Sequence, residues 1–216
     1  MSSIFLLNSF AKDVEPIRYA VIGDSYSIGE GTTPEKSWPA LLTQHLNQQG
    51  VSIKLVSNPA RTGWTTQQAV HEELPIFVAS RPSFATLQIG VNDLVQCVDV
   101  ETFQNRLALL LDQMQSVLPD KKRLLLVTIP DFSVTPAGAA YSRERNMGDK
   151  LMKFNQIIIQ EGKKRGLPVV DIFPLSQKMV NNSDLISNDG LHPSAKGYAE
   201  WEKLISPVAF DLLKKD

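Results

Sequence analysis

Short runs of aliphatic and β-branched residues alternate along the chain with stretches in which apolar residues recur every three or four positions. The short runs predict buried strands and the longer periodic stretches predict helices. Alternation of this kind produces a parallel sheet with helices on both faces, so we predict a doubly wound α/β fold with three layers, α/β/α. The predicted strands are Arg18–Gly23, Ser52–Ser57, Phe84–Ile89, Arg123–Ile129 and Pro168–Ile172. The predicted helices are Trp38–Gln48, Thr66–Val78, Val100–Val117, Arg143–Lys164 and Ala195–Leu213.

The length of 216 residues, 43% of them hydrophobic, predicts one domain over residues 1–216, because no linker or repeat divides the chain. A net charge of −1 and the lack of a dense basic block argue against a nucleic-acid partner. The start MSSIFLLNSF lacks the features of a secretory signal, no window is apolar enough for membrane insertion, and a single cysteine precludes an intramolecular disulfide. We therefore expect a cytoplasmic protein; its oligomeric state cannot be read from the sequence.

Ligands of open parallel sheets bind where the strands end at their carboxyl edge, so the strand exits are the places to search for a site. The first four predicted strands are followed by GDSYSIGEG, NPARTGW, GVND and IPDFSVTP. Each segment is rich in small, polar or turn-forming residues. The least regular stretch, Asp131–Ala140, follows the fourth strand and is predicted to be an active-site loop.

Ser25 follows the first strand on a glycine-containing turn, which can present a hydroxyl to solvent while leaving the backbone N–H available as a donor. The same residues would also serve a turn that only leads the chain into a helix. Near the C-terminus, Asp189 precedes His192 by three residues around Gly190, so that the carboxylate can reach a ring nitrogen and orient the imidazole as a base. Capping of a turn and of a helix explains that pair equally well.

A serine and a base are insufficient for acyl transfer, because the tetrahedral intermediate carries an oxyanion that needs preorganised donors. Gly63 in the second segment can offer a backbone N–H, and Asn92 in the third can offer its side-chain amide. Each of these residues could instead be an ordinary turn residue. The Ser25 turn, Gly63, Asn92 and the Asp189–His192 pair would together supply every part that an ester-cleaving serine enzyme requires.

The segments Gly-Asp-Ser, a second-block glycine, Gly-x-Asn-Asp and Asp-x-x-His, in this order, resemble the SGNH superfamily of GDSL-type esterases and lipases from about Ile17 to about Tyr198. The resemblance implies a flavodoxin-like five-stranded parallel sheet of order 2-1-3-4-5. It also implies that Asp24 holds the turn, whereas Tyr26 stands where the family often has leucine. The roles it implies are Ser25 as nucleophile, His192 as base, Asp189 as its orienting partner, and the Ser25 N–H, Gly63 N–H and Asn92 amide as oxyanion donors.

Other chemistries fit the sequence less well. The Gly-x-Ser-x-Gly elbow is absent, since Ser27 stands where glycine is required, and neither a zincin pair of histidines nor a phosphate-binding glycine loop is present. We therefore expect no cofactor and no metal. The expected partner is a small-molecule ester.

The predicted reaction is hydrolysis of carboxylic esters with small or medium acyl chains through an acyl-enzyme. Carbohydrate O-deacetylase, lysophospholipase and acyl thioesterase are alternatives for the same site. A non-catalytic ligand-binding module, with hydrogen bonds from Ser25, Thr62 and Asn92, is an alternative of another class. Tyr26, Trp64, Leu94 and the loop Asp131–Ala140 are expected to shape the acyl pocket.

Overall fold

The computed structural model of the chain describes residues 15–138, 140 and 146–214. Some predictions extend past these ranges. The segment MSSIFLLNSF and both ends of the predicted domain 1–216 lie outside the described residues, as do Ala139 of the predicted loop and Arg143–Arg145 of the predicted helix.

The described strands form one parallel sheet in the order β2-β1-β3-β4-β5, which confirms the predicted order. Its register pairs Val21 with Thr86 and Leu87 with Leu126. The strands are β1 Ile17–Gly23, β2 Ile53–Ser57, β3 Phe84–Gln88, β4 Leu124–Val127 and β5 Val169–Val170.

The prediction for the fifth strand, Pro168–Ile172, is too long, because the observed ladder covers two residues. The reason lies in Thr128, just beyond β4. Its hydroxyl donates to Asp171 Oδ1 (2.8 Å) and accepts from the Ile172 backbone N–H (2.9 Å), so side-chain bonds replace the backbone pairing there.

Helices connect the strands at the predicted places. The α-helices used below are α1 Ser25–Ile28, α2 Trp38–Gln48, α3 Thr66–Gln68, α4 Leu74–Ala79, α5 Val91–Val95, α6 Val100–Val117, α7 Met147–Arg165, α8 Phe173–Ser176 and α9 Ala195–Leu213. Short 3₁₀ turns lie at Pro34–Lys36, Phe132–Val134, Gln177–Asn181 and Ser183–Leu185.

One connection departs from the regular helix that the sequence predicts. Between α3 and α4 the chain forms a π-helical turn, Ala69–Glu73. Such a turn inserts one extra residue into a helix and changes the direction of the side chains around it. Here it directs the Glu73 side chain into the interior, where the residue is fully buried.

The core is formed by the sheet and the helix faces that cover it. All residues of β3 are buried, as are those of β4. Helices α2 and α9 pack against each other, while α6 contacts both α4 and α7. A parallel sheet needs such cover on both faces, and the result is the predicted α/β/α arrangement. In the part of the chain that the structure describes, no helix is long and apolar enough to cross a membrane.

Candidate active site

The turn after β1 is built around Gly23, Asp24 and Ser25. A Cβ on Gly23 would lie 2.1 Å from Ser27 Oγ, so only glycine allows the chain to turn this tightly. Asp24 caps α1 by accepting a hydrogen bond from the Tyr26 N–H at 3.0 Å. Ser25 is the first residue of α1, where a backbone N–H has no acceptor within the helix. The turn thereby offers both the hydroxyl and an N–H donor.

The structure brings Ser25, His192 and Asp189 into one hydrogen-bonded chain. His192 Nε2 is 2.9 Å from Ser25 Oγ, and His192 Nδ1 is 2.7 Å from Asp189 Oδ2. The turn carrying Asp189 and His192 is closed by a hydrogen bond from the Ser187 N–H to the His192 carbonyl at 2.8 Å. With Nδ1–H donating to the carboxylate, Nε2 is left to accept the serine proton.

Asp189 is held by more than the histidine. Its Oδ1 accepts from the Ser187 hydroxyl (2.7 Å), the Leu191 N–H (2.8 Å) and the His192 N–H (2.9 Å). Partial burial by itself raises the pKa of Asp189, but these hydrogen bonds and that from the His192 ring outweigh it and lower the pKa to about 2. A carboxylate with this pKa keeps its charge at neutral pH.

Gly63 and Asn92 lie beside Ser25 in the lining of one cavity. Gly63 has a φ of +80°, a backbone conformation that favours glycine, and a Cβ there would meet nothing within 4 Å. Asn92 Nδ2 donates to the Trp64 carbonyl at 2.9 Å, and Gln96 Nε2 donates to the Gly63 carbonyl at 3.1 Å. These bonds fix the second segment against α5. An amide nitrogen carries two hydrogens, so Asn92 retains a second donor.

Asp93, next to Asn92, ties α5 to the start of α3, which follows the second segment. It is completely buried, and its carboxyl oxygens accept from the Thr66 N–H (2.8 Å) and the Thr66 hydroxyl (2.5 Å). Burial raises the pKa of Asp93, although the bonds from Thr66 oppose this. The structure thus gives the aspartate of Gly-Val-Asn-Asp a supporting position, apart from the cavity.

The cavity at Ser25 has a volume of about 220 Å³. Its lining includes Thr62 besides the residues described above, and the remaining lining residues are apolar. The apolar lining residues are Val91, Val95, Phe132 and Leu191. Phe132 belongs to the loop Asp131–Ala140 that the sequence predicted to border the site.

The three residues expected to shape the acyl pocket lie in different places. Tyr26 lines the cavity, although it is only 3% exposed, with its ring 5.3 Å from that of His192. Among the described residues that line this cavity, neither Trp64 nor Leu94 is present. Trp64 lies under Arg61, at 5.4 Å, and Leu94 faces a separate cavity that Phe154 also lines. Of the three residues, Tyr26 alone therefore lines the cavity beside Ser25.

A buried carboxyl lies beneath the nucleophile turn that the sequence did not single out. Glu73 Oε2 accepts the Gly23 N–H at 2.9 Å, two residues before Ser25. Burial raises the pKa of Glu73 to about 8; the bond from Gly23 opposes the shift and the charge of Asp24 adds to it. Burial likewise raises the pKa of Asp24 to about 8. Nothing in the spacing of Glu73 identified it, because the π-helical turn places it there.

Glu30 is a second residue that sequence reasoning missed, although it belongs to the segment GDSYSIGEG. Its Oε2 lies 3.9 Å from His192 Nε2, and it accepts a hydrogen bond from the Thr62 hydroxyl. Ligand atoms of Glu30, Asp189 and His192 all lie within 4.8 Å of one another, a spacing that a metal ion can use. Since both nitrogens of His192 already face Asp189 and Ser25, this arrangement suits proton transfer better.

Two curated relatives carry esterase names. An acetylxylan esterase of Xylanibacter ruminicola is 26% identical over 215 residues, with coverage of 89% of this chain and 43% of that protein. A multidomain esterase of Ruminococcus flavefaciens is 29% identical over 122 residues, with coverage of 56% of this chain and 15% of that protein. This chain therefore spans less than half the length of either relative. Their names support the predicted class, a carboxylic ester hydrolase.

A solved structure supports the fold independently. The lipase/acylhydrolase from Enterococcus faecalis superposes with a TM-score of 0.73 at 20% identity, covering 93% of this chain and 98% of that one. The sequence model of the GDSL-like Lipase/Acylhydrolase family matches residues 21–200, which include Ser25, Gly63, Asn92, Asp189 and His192. The predicted family is thereby confirmed, and the chain belongs to the GDSL-like lipases and acylhydrolases.

Proposed function

We propose that this chain is a serine hydrolase that cleaves carboxylic esters in two steps. Ser25 Oγ attacks the ester carbonyl carbon while His192 Nε2 takes its proton, and His192 then returns that proton to the leaving alcohol. Water activated by His192 hydrolyses the acyl-enzyme and restores Ser25. Asp189 orients the imidazole and stabilises the imidazolium that forms in each step.

The observation that carries this proposal is the continuous chain from Asp189 through His192 to Ser25, at 2.7 and 2.9 Å. Both distances are within the range for proton transfer along hydrogen bonds. A site that only bound a ligand would need no carboxylate aligned behind the histidine. The binding-module alternative leaves this alignment unexplained.

For the oxyanion we propose three donors, the backbone N–H groups of Ser25 and Gly63 and the side-chain amide of Asn92. What supports this choice is that all three residues border the same cavity as Ser25 Oγ. The anchoring of Gly63 by Gln96 and of Trp64 by Asn92 supplies the preorganisation that such donors need.

The cavity favours a short acyl chain. Its volume of about 220 Å³ is below the roughly 300–1,000 Å³ of sites for drug-sized ligands. An acetyl or similarly short group fits against Val91, Val95 and Phe132, with Tyr26 closing the end near His192. A lysophospholipase, which must accept a long acyl chain, fits this volume less well.

Carbohydrate O-deacetylation is a second candidate within the same chemistry. It is favoured by the small cavity together with the likeness to the protein named acetylxylan esterase. Hydrolysis of acyl thioesters would use the same atoms. Rates on an acetylated sugar, an acetyl thioester and p-nitrophenyl esters of rising chain length separate these candidates, and we expect the rates to fall beyond short chains.

The central test is Ser25→Ala, which should lower kcat on p-nitrophenyl acetate by about three or more orders of magnitude. Ser116→Ala, at an exposed serine of α6, is the matched control and should turn over normally. A fluorophosphonate should label the unmodified chain on Ser25 and leave Ser25→Ala unlabelled. Normal turnover by Ser25→Ala would refute the assignment of the nucleophile, and absence of any adduct would favour the binding module.

A further inference from the structure

We propose that Glu30 selects substrates by the charge of their alcohol group, accepting esters of neutral or cationic alcohols and disfavouring those of anionic alcohols. The proposal rests on the proposed function, since it concerns the leaving-group side of the same site. It assigns Glu30 to specificity, and the proton transfer remains with His192.

The backbone of Glu30 is fixed from both sides. Its N–H donates to the Ser25 carbonyl at 2.9 Å, and its carbonyl accepts from the Tyr198 hydroxyl at 2.9 Å. Gly29, with a φ of 82°, ends α1 and turns the chain back over the nucleophile. The position of the Glu30 side chain is therefore coupled to that of Ser25.

The Glu30 side chain is partly exposed, at 34%, so a bound substrate can meet it directly. The Thr62 hydroxyl donates to Oε2 and directs the carboxylate toward the cavity rim, since Thr62 itself lines the cavity. This hydrogen bond joins the first and second segments beside the site. The carboxylate thus lies next to the cavity, held by a residue of its lining.

The distance to His192 places Glu30 on the side of the leaving group. His192 Nε2 must come within about 3 Å of the alcohol oxygen to protonate it as the ester bond breaks. Because Glu30 Oε2 lies 3.9 Å from the same nitrogen, the alcohol oxygen is within about 7 Å of this carboxylate. A charged group a few bonds further along the alcohol can lie at a similar distance from the Glu30 carboxylate.

The described lining of the cavity reinforces this selectivity. None of those lining residues is a lysine or arginine, the side chains that usually hold phosphate or carboxylate groups. The carboxylate of Asp189 is engaged by His192 Nδ1. Unit charges about 6 Å apart change binding by about threefold in bulk water and by about a hundredfold at the effective dielectric constant typical near a protein surface. Because this carboxylate is partly exposed, an anionic alcohol should be disfavoured by about tenfold, between those limits.

The test uses three acetate esters that differ mainly in alcohol charge: acetylcholine, 3,3-dimethylbutyl acetate and O-acetylisethionate. For the unmodified chain at low salt, kcat/KM for the anionic ester should be about tenfold below that for the neutral ester, and the gap should narrow as salt rises. In Glu30→Gln, the ratio of kcat/KM for the neutral ester to that for the anionic ester should move toward one. Using ratios removes any effect of Glu30 on His192 that is common to all substrates.

Two further variants make the test specific. Glu30→Asp keeps the charge and should keep most of the discrimination between the neutral and the anionic ester. A purely structural role for the Glu30 side chain would not require this result. Glu35→Gln removes a fully exposed carboxylate from the same connection and should leave the ratio as it is. If the unmodified chain treats all three esters alike, or if Glu30→Gln retains the full ratio, the inference is wrong although ester cleavage stands. No Ser25-dependent turnover of any ester would instead overturn the proposed function.

Discussion

Asp189 and Glu73 are each linked to the nucleophile turn through hydrogen bonds, one on the exposed side of the site and the other on the buried side. Asp189, whose side chain is 40% exposed, reaches Ser25 through the His192 ring. Glu73, completely buried, reaches it through the Gly23 N–H. The pKa of Asp189 falls to about 2, because hydrogen bonds to its charged form outweigh partial burial. The pKa of Glu73 rises to about 8, because burial outweighs its one bond.

The difference shows how one kind of side chain can serve opposite needs within a single site. In the proposed reaction a positive charge forms on His192, so the fixed negative charge of Asp189 beside it is stabilising. A negative charge forms near Ser25 and Asn92, so a charged carboxylate beneath Ser25 would oppose it. A mostly neutral Glu73 supports the turn without that repulsion.

The largest expected effect comes from the exposed side. Asp189→Asn should lower kcat by about 10³–10⁴, because the amide stabilises the wrong histidine tautomer while the fold is kept. The rate of fluorophosphonate labelling of Ser25 should fall in parallel. Asp184→Asn, at an exposed carboxylate paired with Lys196 at 3.1 Å, is the control and should change neither rate. Equal losses in both variants would remove the special role of Asp189.

On the buried side, the effect should appear in stability. Glu73→Ala removes the acceptor of the Gly23 N–H and leaves a cavity, which should cost about 2–4 kcal/mol of unfolding free energy in urea. Near pH 4.5, where Glu73 of the folded unmodified chain is protonated, Glu73→Gln keeps an acceptor and should cost about 1 kcal/mol or less. Glu72→Ala, at an exposed neighbour, should stay within about 0.5 kcal/mol. A loss of turnover in Glu73→Gln as large as that in Asp189→Asn would erase the contrast between the two sides.

Measured over one pH unit, the dependence of stability on pH is the smallest of these effects. Since the folded pKa of Glu73 is raised to about 8, the folded state binds its proton more tightly than the unfolded chain does. Its stabilisation is therefore complete below the unfolded pKa near 4.5 and is lost as pH rises toward 8. Relative to Glu73→Gln, the unmodified chain should lose up to about 1.4 kcal/mol per pH unit in this window, as measured by urea unfolding. If the unfolding free energies of the two proteins change with pH in parallel, the folded chain does not hold a proton on Glu73 in this window.

The fold could be predicted from the sequence wherever a local pattern determines the structure. The apolar runs before Gly23 and before Gln88 have the length and composition of buried strands, and the structure has strands there. The family resemblance supplied the sheet order. The end of β5 could not be predicted, because it depends on the Thr128 side chain, which reaches it from the neighbouring strand.

The candidate site could be predicted to the extent that it follows short motifs. Ser25, Gly63, Asn92 and His192 were singled out by spacing, and the structure places them around one cavity; their catalytic roles remain predictions. Trp64, one residue after Gly63, was also expected there, but proximity in sequence does not determine where a side chain points. Glu30 was missed because its approach to His192 is a contact between residues far apart in sequence, which only the folded chain brings together.

The π-helical turn Ala69–Glu73 has a consequence for how this gene can change. Deleting one codon within the turn would produce a regular, more common helix from Thr66 to the end of α4. The same deletion would rotate the residues before it by about 100° about the helix axis relative to α4. Thr66 and Glu73 would then point in different relative directions. Thr66 donates a hydrogen bond to Asp93, and Glu73 accepts one from Gly23. After the deletion, these two bonds could not form together. The deletion that would make this helix regular would therefore cost one of the two hydrogen bonds, so selection should keep the irregular turn.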